Sequence, residues 1–199
     1  MKQSTIKFLI LICVLFATTI VDAQTNLLLN GQADYKTEHW NVKYNTTVEE
    51  FNGDKVFVLR NDGNLQQWFQ LDDEAIGKYA LFIGRVIGRV TSKRADVDDK
   101  TPPNTPYLFV ATLVPKIVIS EGQILPADAK GENDWHTIYA IHQLPKEDFT
   151  GFLKCSLHQR NSRKGENAPN EGSAVRFDNL GLYLFDTEED ALKFAKAYK

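Results

Sequence analysis

Cysteine is scarce in this chain, with two among 199 residues, Cys13 and Cys155. Cys13 lies in a stretch expected to be removed, which leaves one thiol. No intrachain disulfide is then expected, and stability has to come from a packed core. Cys155 alternates with Leu153 and Leu157, the pattern of a buried thiol serving as a small hydrophobe. The four histidines show no H-x-x-x-H spacing and no paired cysteines accompany them, so the common zinc arrangements are missing. His136 and His142 share a strand face but stand roughly 20 Å apart in extended chain, too far for one ion, while His39 and His158 are isolated. No G-x-S-x-G motif offers an acyl-transfer nucleophile. Basic charge is not in excess either: 23 Lys and Arg against 26 Asp and Glu leave a net −3. That balance argues against nucleic acid, where a basic face is expected, and gives no support to an anionic membrane surface.

Long apolar runs are also lacking. The longest, residues 8–20, falls short of the roughly 20 residues of a membrane span. With Lys2 and Lys7 before it and Val21-Asp22-Ala23 after it, this stretch has the form of a cleavable secretory leader, residues 1–23. The expected product, residues 24–199, is secreted to an extracellular or periplasmic compartment, with no span in the mature chain. Its length suits one domain with a proper core. Asn45-Thr46-Thr47 is a glycosylation sequon, meaningful only in a eukaryotic secretory pathway.

What the chain has is β pattern. Strands are expected at residues 26–30, 38–44, 55–60, 64–71, 78–91, 107–120, 134–144, 151–160 and 174–185, separated by polar turns. Asn61-Asp62-Gly63 predicts a hairpin between the third and fourth of these. Gly84 and Gly88 predict a bend or a close backbone approach, and Pro115 predicts that 107–120 is divided or bent. Residues 92–106 and 161–173 are loops, and 121–133 is a polar connection. Residues 174–185 are apolar at both alternating sets of positions in their second half, which fits a strand covered on both faces. One helix is expected, at 187–198, with Thr187 as N-cap, three acids in its first turn and a stripe of Ala191, Phe194, Ala195 and Tyr198. Strand–helix alternation is absent, so the expectation is an all-β, antiparallel jelly-roll β-sandwich with one short C-terminal α-helix.

Candidate chemistry lies on strand faces. In L-Q-Q-W-F-Q-L, Trp68 shares a face with Gln66 and Gln70, opposite Leu65, Phe69 and Leu71. An aromatic ring between two amides on a polar face is what stacking against a pyranose requires. Trp40 and Trp135 are expected to be core plugs. A second polar face, Lys154, Ser156, His158 and Arg160, is either a solvated sheet face or a ligand surface, and Tyr107 is placed to close over either this face or that of Trp68. Asp178 lies inside an apolar run and needs a partner. If the first and last strands are neighbours, Asp34 and Asp178 approach each other and could share a hard cation such as a structural Ca2+. The alternative has Asp178 bonded to backbone donors or turned outward. Asp96 and Asp98 begin a calcium-loop pattern that fails for want of glycine at Thr101.

These motifs taken together, N-L-L-L-N-G with Trp40 downstream, residues 67–71 leading to Tyr79-Ala80-Leu81, the Trp135 strand, and V-R-F-D-N-L-G-L-Y at the end, resemble the galactose-binding-like β-sandwich of secreted carbohydrate-binding modules, the type appended to xylanases and cellulases. The resemblance implies a jelly roll and a glycan or polysaccharide ligand. It also implies a structural calcium near the first and last strands, falling on Asp178 and more weakly on Asp34. Ala33-Asp34 and the lack of glycine before Trp40 depart from that family's pattern, as do the proline loop and the terminal helix. The resemblance implies a non-catalytic protein; the contact residues Trp68, Gln66, Gln70, Tyr107, His158 and Arg160 are expected from strand alternation alone. The same fold also hosts extracellular or envelope protein-interaction domains, and a polysaccharide hydrolase or lyase is a third reading.

Overall fold

The computed structural model describes residues 24–60, 63–87, 105–114, 116–124, 134–160 and 174–198, the side chains of Thr105, Ile124 and Arg160 excepted. The expected leader, Gly88, Pro115, most of the loops at 92–106 and 161–173, and most of the connection at 121–133 lie outside these residues. The described residues form eleven strands: β1 (Asn41–Lys43), β2 (Thr46–Phe51), β3 (Asp54–Leu59), β4 (Asn64–Gln70), β5 (Tyr79–Ile87), β6 (Thr105–Thr112), β7 (Val118–Glu121), β8 (Gln123–Ile124), β9 (His136–Gln143), β10 (Phe152–Arg160) and β11 (Val175–Phe185). One helix follows, α1 (Glu188–Ala197). Every pairing is antiparallel. Two sheets result, one of order β1-β4-β10-β6-β7 and one of order β2-β3-β11-β5-β9-β8, which makes the molecule a jelly-roll sandwich.

Alternation along each strand decides what lies between the sheets. Leu65, Leu108, Val110, Leu153, Cys155 and Leu157 of the five-stranded sheet face Phe57, Leu59, Phe82, Ile138, Phe177 and Leu182 of the other. Burial of such side chains contributes about 1.5–3 kcal/mol each. β11 is central in its sheet and covered on both sides, as its pattern predicted. Phe177, Leu180 and Leu182 point into this core, while Tyr183 and Phe185 lie under α1 with Leu81, Ile83, Ala191 and Ala195. The N-cap of α1 is Thr187, whose hydroxyl accepts from the Asp190 amide at 3.1 Å.

Four expectations are corrected. Residues 26–30 form no ladder strand. They run beside β11 through two backbone bonds, Leu27 N–H to the Leu182 carbonyl at 2.8 Å and Leu180 N–H to the Gly31 carbonyl at 3.0 Å. Between these, the Asn26 side-chain amide stands in for a peptide group, accepting from Leu182 N–H and donating to the Leu180 carbonyl. The expected strand at 38–44 shrinks to Asn41–Lys43, because His39 and Tyr44 take left-handed conformations on either side of it. The hairpin expected between 55–60 and 64–71 is instead a passage from one sheet to the other, since β3 pairs with β2 and β11, and β4 with β1 and β10. The true hairpin joins β2 to β3 at Asn52-Gly53, both at positive φ. Finally, Trp40 is a buried core plug, edge-on to Phe57, whereas Trp135 is half-buried against Phe51 ahead of β9.

Two further expectations hold. Gly84 is a point of close approach, since a Cβ there would stand 2.4 Å from Leu180 Cδ2. It faces an irregularity in β11, where the register slips between Asp178 and Gly181 and Asn179 takes φ 47°. The stretch containing Pro115 is divided, into β6 and β7.

Candidate functional site

Register places the site residues on the outer face of the five-stranded sheet. β10 lies between β4 and β6 with Lys154 opposite Trp68 and Ala111, Ser156 opposite Gln66 and Phe109, and His158 opposite Asn64 and Tyr107. The two polar faces expected separately from β4 and β10 are therefore one surface. On it, Trp68 is 43% and Phe152 39% exposed, and their rings meet edge-on at 5.9 Å. The Lys154 ammonium lies 5.1 Å from the Trp68 ring centre and 5.5 Å from that of Phe109, within the range of cation–π attraction. Further along, His158 stacks on Tyr107 at 4.6 Å and on Phe109 at 5.2 Å.

Not every residue singled out from the sequence is available there. Tyr107 is buried in the ring stack. Gln70 donates its amide to the Thr150 carbonyl at 2.8 Å, so it anchors the turn before β10. Gln66 is half-buried beside Trp68. Arg160 is paired through its backbone with Thr105, and its side chain lies outside the described residues. Lys154, Phe109 and Phe152 were not among the contact residues expected from sequence, and the pairing of β4 with β10 is what brings them to Trp68. Where short β1 ends, the flank of β4 opens into a cleft of about 400 Å³ lined by Leu27, Leu29, His39, Gln66 and Trp68 among others. Chemically, this surface offers an exposed indole, amides and a cation, a set able to bind a polar ring.

The acids gather elsewhere. Asp34, Asp54 and Asp178 line a cleft of about 320 Å³ with Gln32, Lys55 and Asn179. Burial, with Asp54 and Asp34 adding to it, raises the Asp178 carboxyl above its ordinary range, against an opposing hydrogen bond from the Asn179 backbone. Carboxylates and amide oxygens are the ligands a hard cation takes, so the donor types suit calcium. Their placement is open: among the described residues no three acid, histidine or cysteine side chains group closely enough to hold an ion, and Lys55 Nζ already donates to the Asp34 carbonyl at 3.0 Å.

The chain matches no family model, and no curated protein resembles it in sequence. Solved structures do share its fold. The TmCBM61 module, solved in complex with β-1,4-galactotriose, is 17% identical, superposes with a TM-score of 0.50, and matches over 81% of this chain and 98% of its own. The CBM22-1 xylan-binding domain of Paenibacillus barcinonensis Xyn10C is 11% identical with a TM-score of 0.52, over 83% of this chain and 97% of its own. The enzymatically active domain of bacteriophage CBA120 tailspike protein 4 is 12% identical with a TM-score of 0.51, over 80% of this chain but only 21% of the tailspike chain. The protein thus has the jelly-roll fold found in carbohydrate-binding modules. Among the described residues, no helix is long and apolar enough to cross a membrane.

Proposed function

We propose that this protein is a secreted, non-catalytic carbohydrate-binding module that holds a glycan on the outer face of its five-stranded sheet. The observation carrying this reading is Trp68: an indole 43% exposed at the centre of a strand, beside a cleft, where a solvated sheet face would carry polar side chains. A sugar ring stacks its apolar C–H face on Trp68 while the Gln66 amide and neighbouring polar groups take its hydroxyls. His158 belongs to the same face. The galactotriose and xylan ligands of the two fold relatives support a glycan as the class of ligand. The non-catalytic reading is supported by the same two fold relatives, a module solved with a bound galactotriose and a xylan-binding domain. We further propose a structural calcium at Asp34 and Asp178, with Asp54 as an additional donor; its binding would displace the ammonium of Lys55.

A polysaccharide panel assayed by affinity electrophoresis tests the glycan reading. Wild type is expected to be retarded by at least one glycan, and Trp68→Ala to lose that retardation by about tenfold or more in affinity while keeping its thermal midpoint. Binding unchanged in Trp68→Ala would remove the site, and no retardation by any glycan would remove the function.

A further inference from the structure

Among the described residues, the cation beside Trp68 has no counter-charge. Lys154 projects from the middle of β10 between two aromatic rings and is half-buried. The ion pairs made by side chains among the described residues include Arg60–Glu49 and Lys78–Asp186, and Lys154 takes part in no ion pair or side-chain hydrogen bond there. Among the described residues, the one carboxylate whose register puts it on this face, Glu121, stands opposite Phe109 on β7, across β6 from β10. On the other side, Lys43 of β1 lies opposite Asn64, on the same face, and adds a second positive charge. Burial and then Lys43 push the Lys154 ammonium below its ordinary range. A desolvated cation without an anion is costly, and here the two ring faces offset only part of that cost.

We infer that the ligand of this face is an acidic polysaccharide, whose carboxylate or sulfate group meets the Lys154 ammonium while its sugar ring stacks on Trp68. The inference rests on the glycan-binding reading above and narrows it. The ring and the charge divide the work: Trp68 gives affinity for any pyranose with an apolar face, and Lys154, aided by Lys43, selects the charged one. Trp68 and Lys154 are cross-strand partners, so one sugar residue can reach both.

The test uses the full mature chain against four glycans, β-1,4-galactan and xylan as neutral members, polygalacturonate as the carboxylated one and a sulfated galactan as the sulfated one, titrated at low and high salt. The expected result is affinity about tenfold higher for one acidic glycan than for the neutral ones, lost at high salt. The two acidic arms separate carboxylate from sulfate. Lys154→Met, which keeps an apolar chain between the rings, should abolish the difference between acidic and neutral glycans, while Lys154→Arg should retain the preference. Equal binding of acidic and neutral glycans by wild type, or an acidic preference that survives in Lys154→Met, overturns the inference and leaves the glycan-binding reading standing. Absence of binding to all four overturns both.

Discussion

Replacing Gly31 by alanine tests whether residues 26–31 are an integral part of the six-stranded sheet. A Cβ at Gly31 would stand 2.1 Å from the carbonyl oxygen of Leu180 and 3.0 Å from its carbonyl carbon. Both are backbone atoms of a fully buried residue, so no rotamer change relieves the clash and the segment has to retreat. Retreat breaks the 3.0 Å bond from Leu180 N–H to the Gly31 carbonyl. A buried donor left without an acceptor costs about 1–3 kcal/mol, and displacement of packed chain adds about 1–3 kcal/mol. A loss of about 2–6 kcal/mol is therefore expected, which in a domain of this size lowers the thermal midpoint by at least about 4 °C. Gly53→Ala is the control. Gly53 has φ 92° with nothing within 4 Å of its added methyl, so its cost is backbone conformation alone, roughly 1 kcal/mol. Urea denaturation of both variants gives the comparison. A Gly31→Ala protein as stable as Gly53→Ala would refute the reasoning, because the contact with Leu180 would then be too soft to hold the segment.

Two other outcomes follow from buried or gathered charge. His142 is buried between the sheets, with Nδ1 2.8 Å from Ser120 Oγ and Nε2 3.2 Å from Thr112 Oγ1, and burial holds its imidazole below the ordinary range. The unfolded chain takes up this proton near pH 6.5 while the folded one resists it. Stability is then complete above that pH and declines as pH falls below it, by at most about 1.4 kcal/mol per pH unit, until the folded imidazole also protonates. His142→Gln should flatten this part of the stability–pH curve measured by urea denaturation, and an unchanged slope would contradict it. For the acidic cleft, calcium should stabilise the fold by about 2.7 kcal/mol at a hundredfold excess over Kd and so raise the thermal midpoint. A chelator should reverse the rise and Asp178→Asn abolish it, whereas a midpoint indifferent to calcium removes the ion.

Fold class was legible because period-2 patterning is strong in most strands, while β11 stands apart as apolar on both faces. Its apolar residues on both faces anticipated cover on both, which the core supplies on one side and α1 on the other. What escaped was partnership. The β2 sequence T-T-V-E-E-F carries adjacent acids and gives a weak strand signal, yet it pairs with β3 over six residue pairs. The sequence Asn61-Asp62-Gly63 predicted a hairpin turn, but local chemistry does not say which sheet the next strand will join. Residues 26–30 have strand composition without a ladder, because Asn26 supplies with its side chain the bonds a strand would make with its backbone. At the candidate site, alternation alone put Trp68 outward and Leu65 inward. That Lys154 lies over the indole depends on the β4–β10 register, a long-range pairing no single segment encodes.

That register is itself held from the N-terminal side. Gln67, one residue before the exposed indole, points inward and is almost fully buried. Its amide both accepts from Leu29 N–H at 2.9 Å and donates to the Leu29 carbonyl at 3.0 Å. A slip of β4 by one residue would turn Trp68 into the core and Gln67 out to solvent, and would break both bonds at once. The segment that carries Leu29 is fastened in turn to β11 of the opposite sheet through Asn26, Leu27 and Gly31. The start of the described chain thus ties the strand bearing Trp68 to the central strand of the other sheet. The same amide that closes one end of the sandwich keeps the indole facing outward.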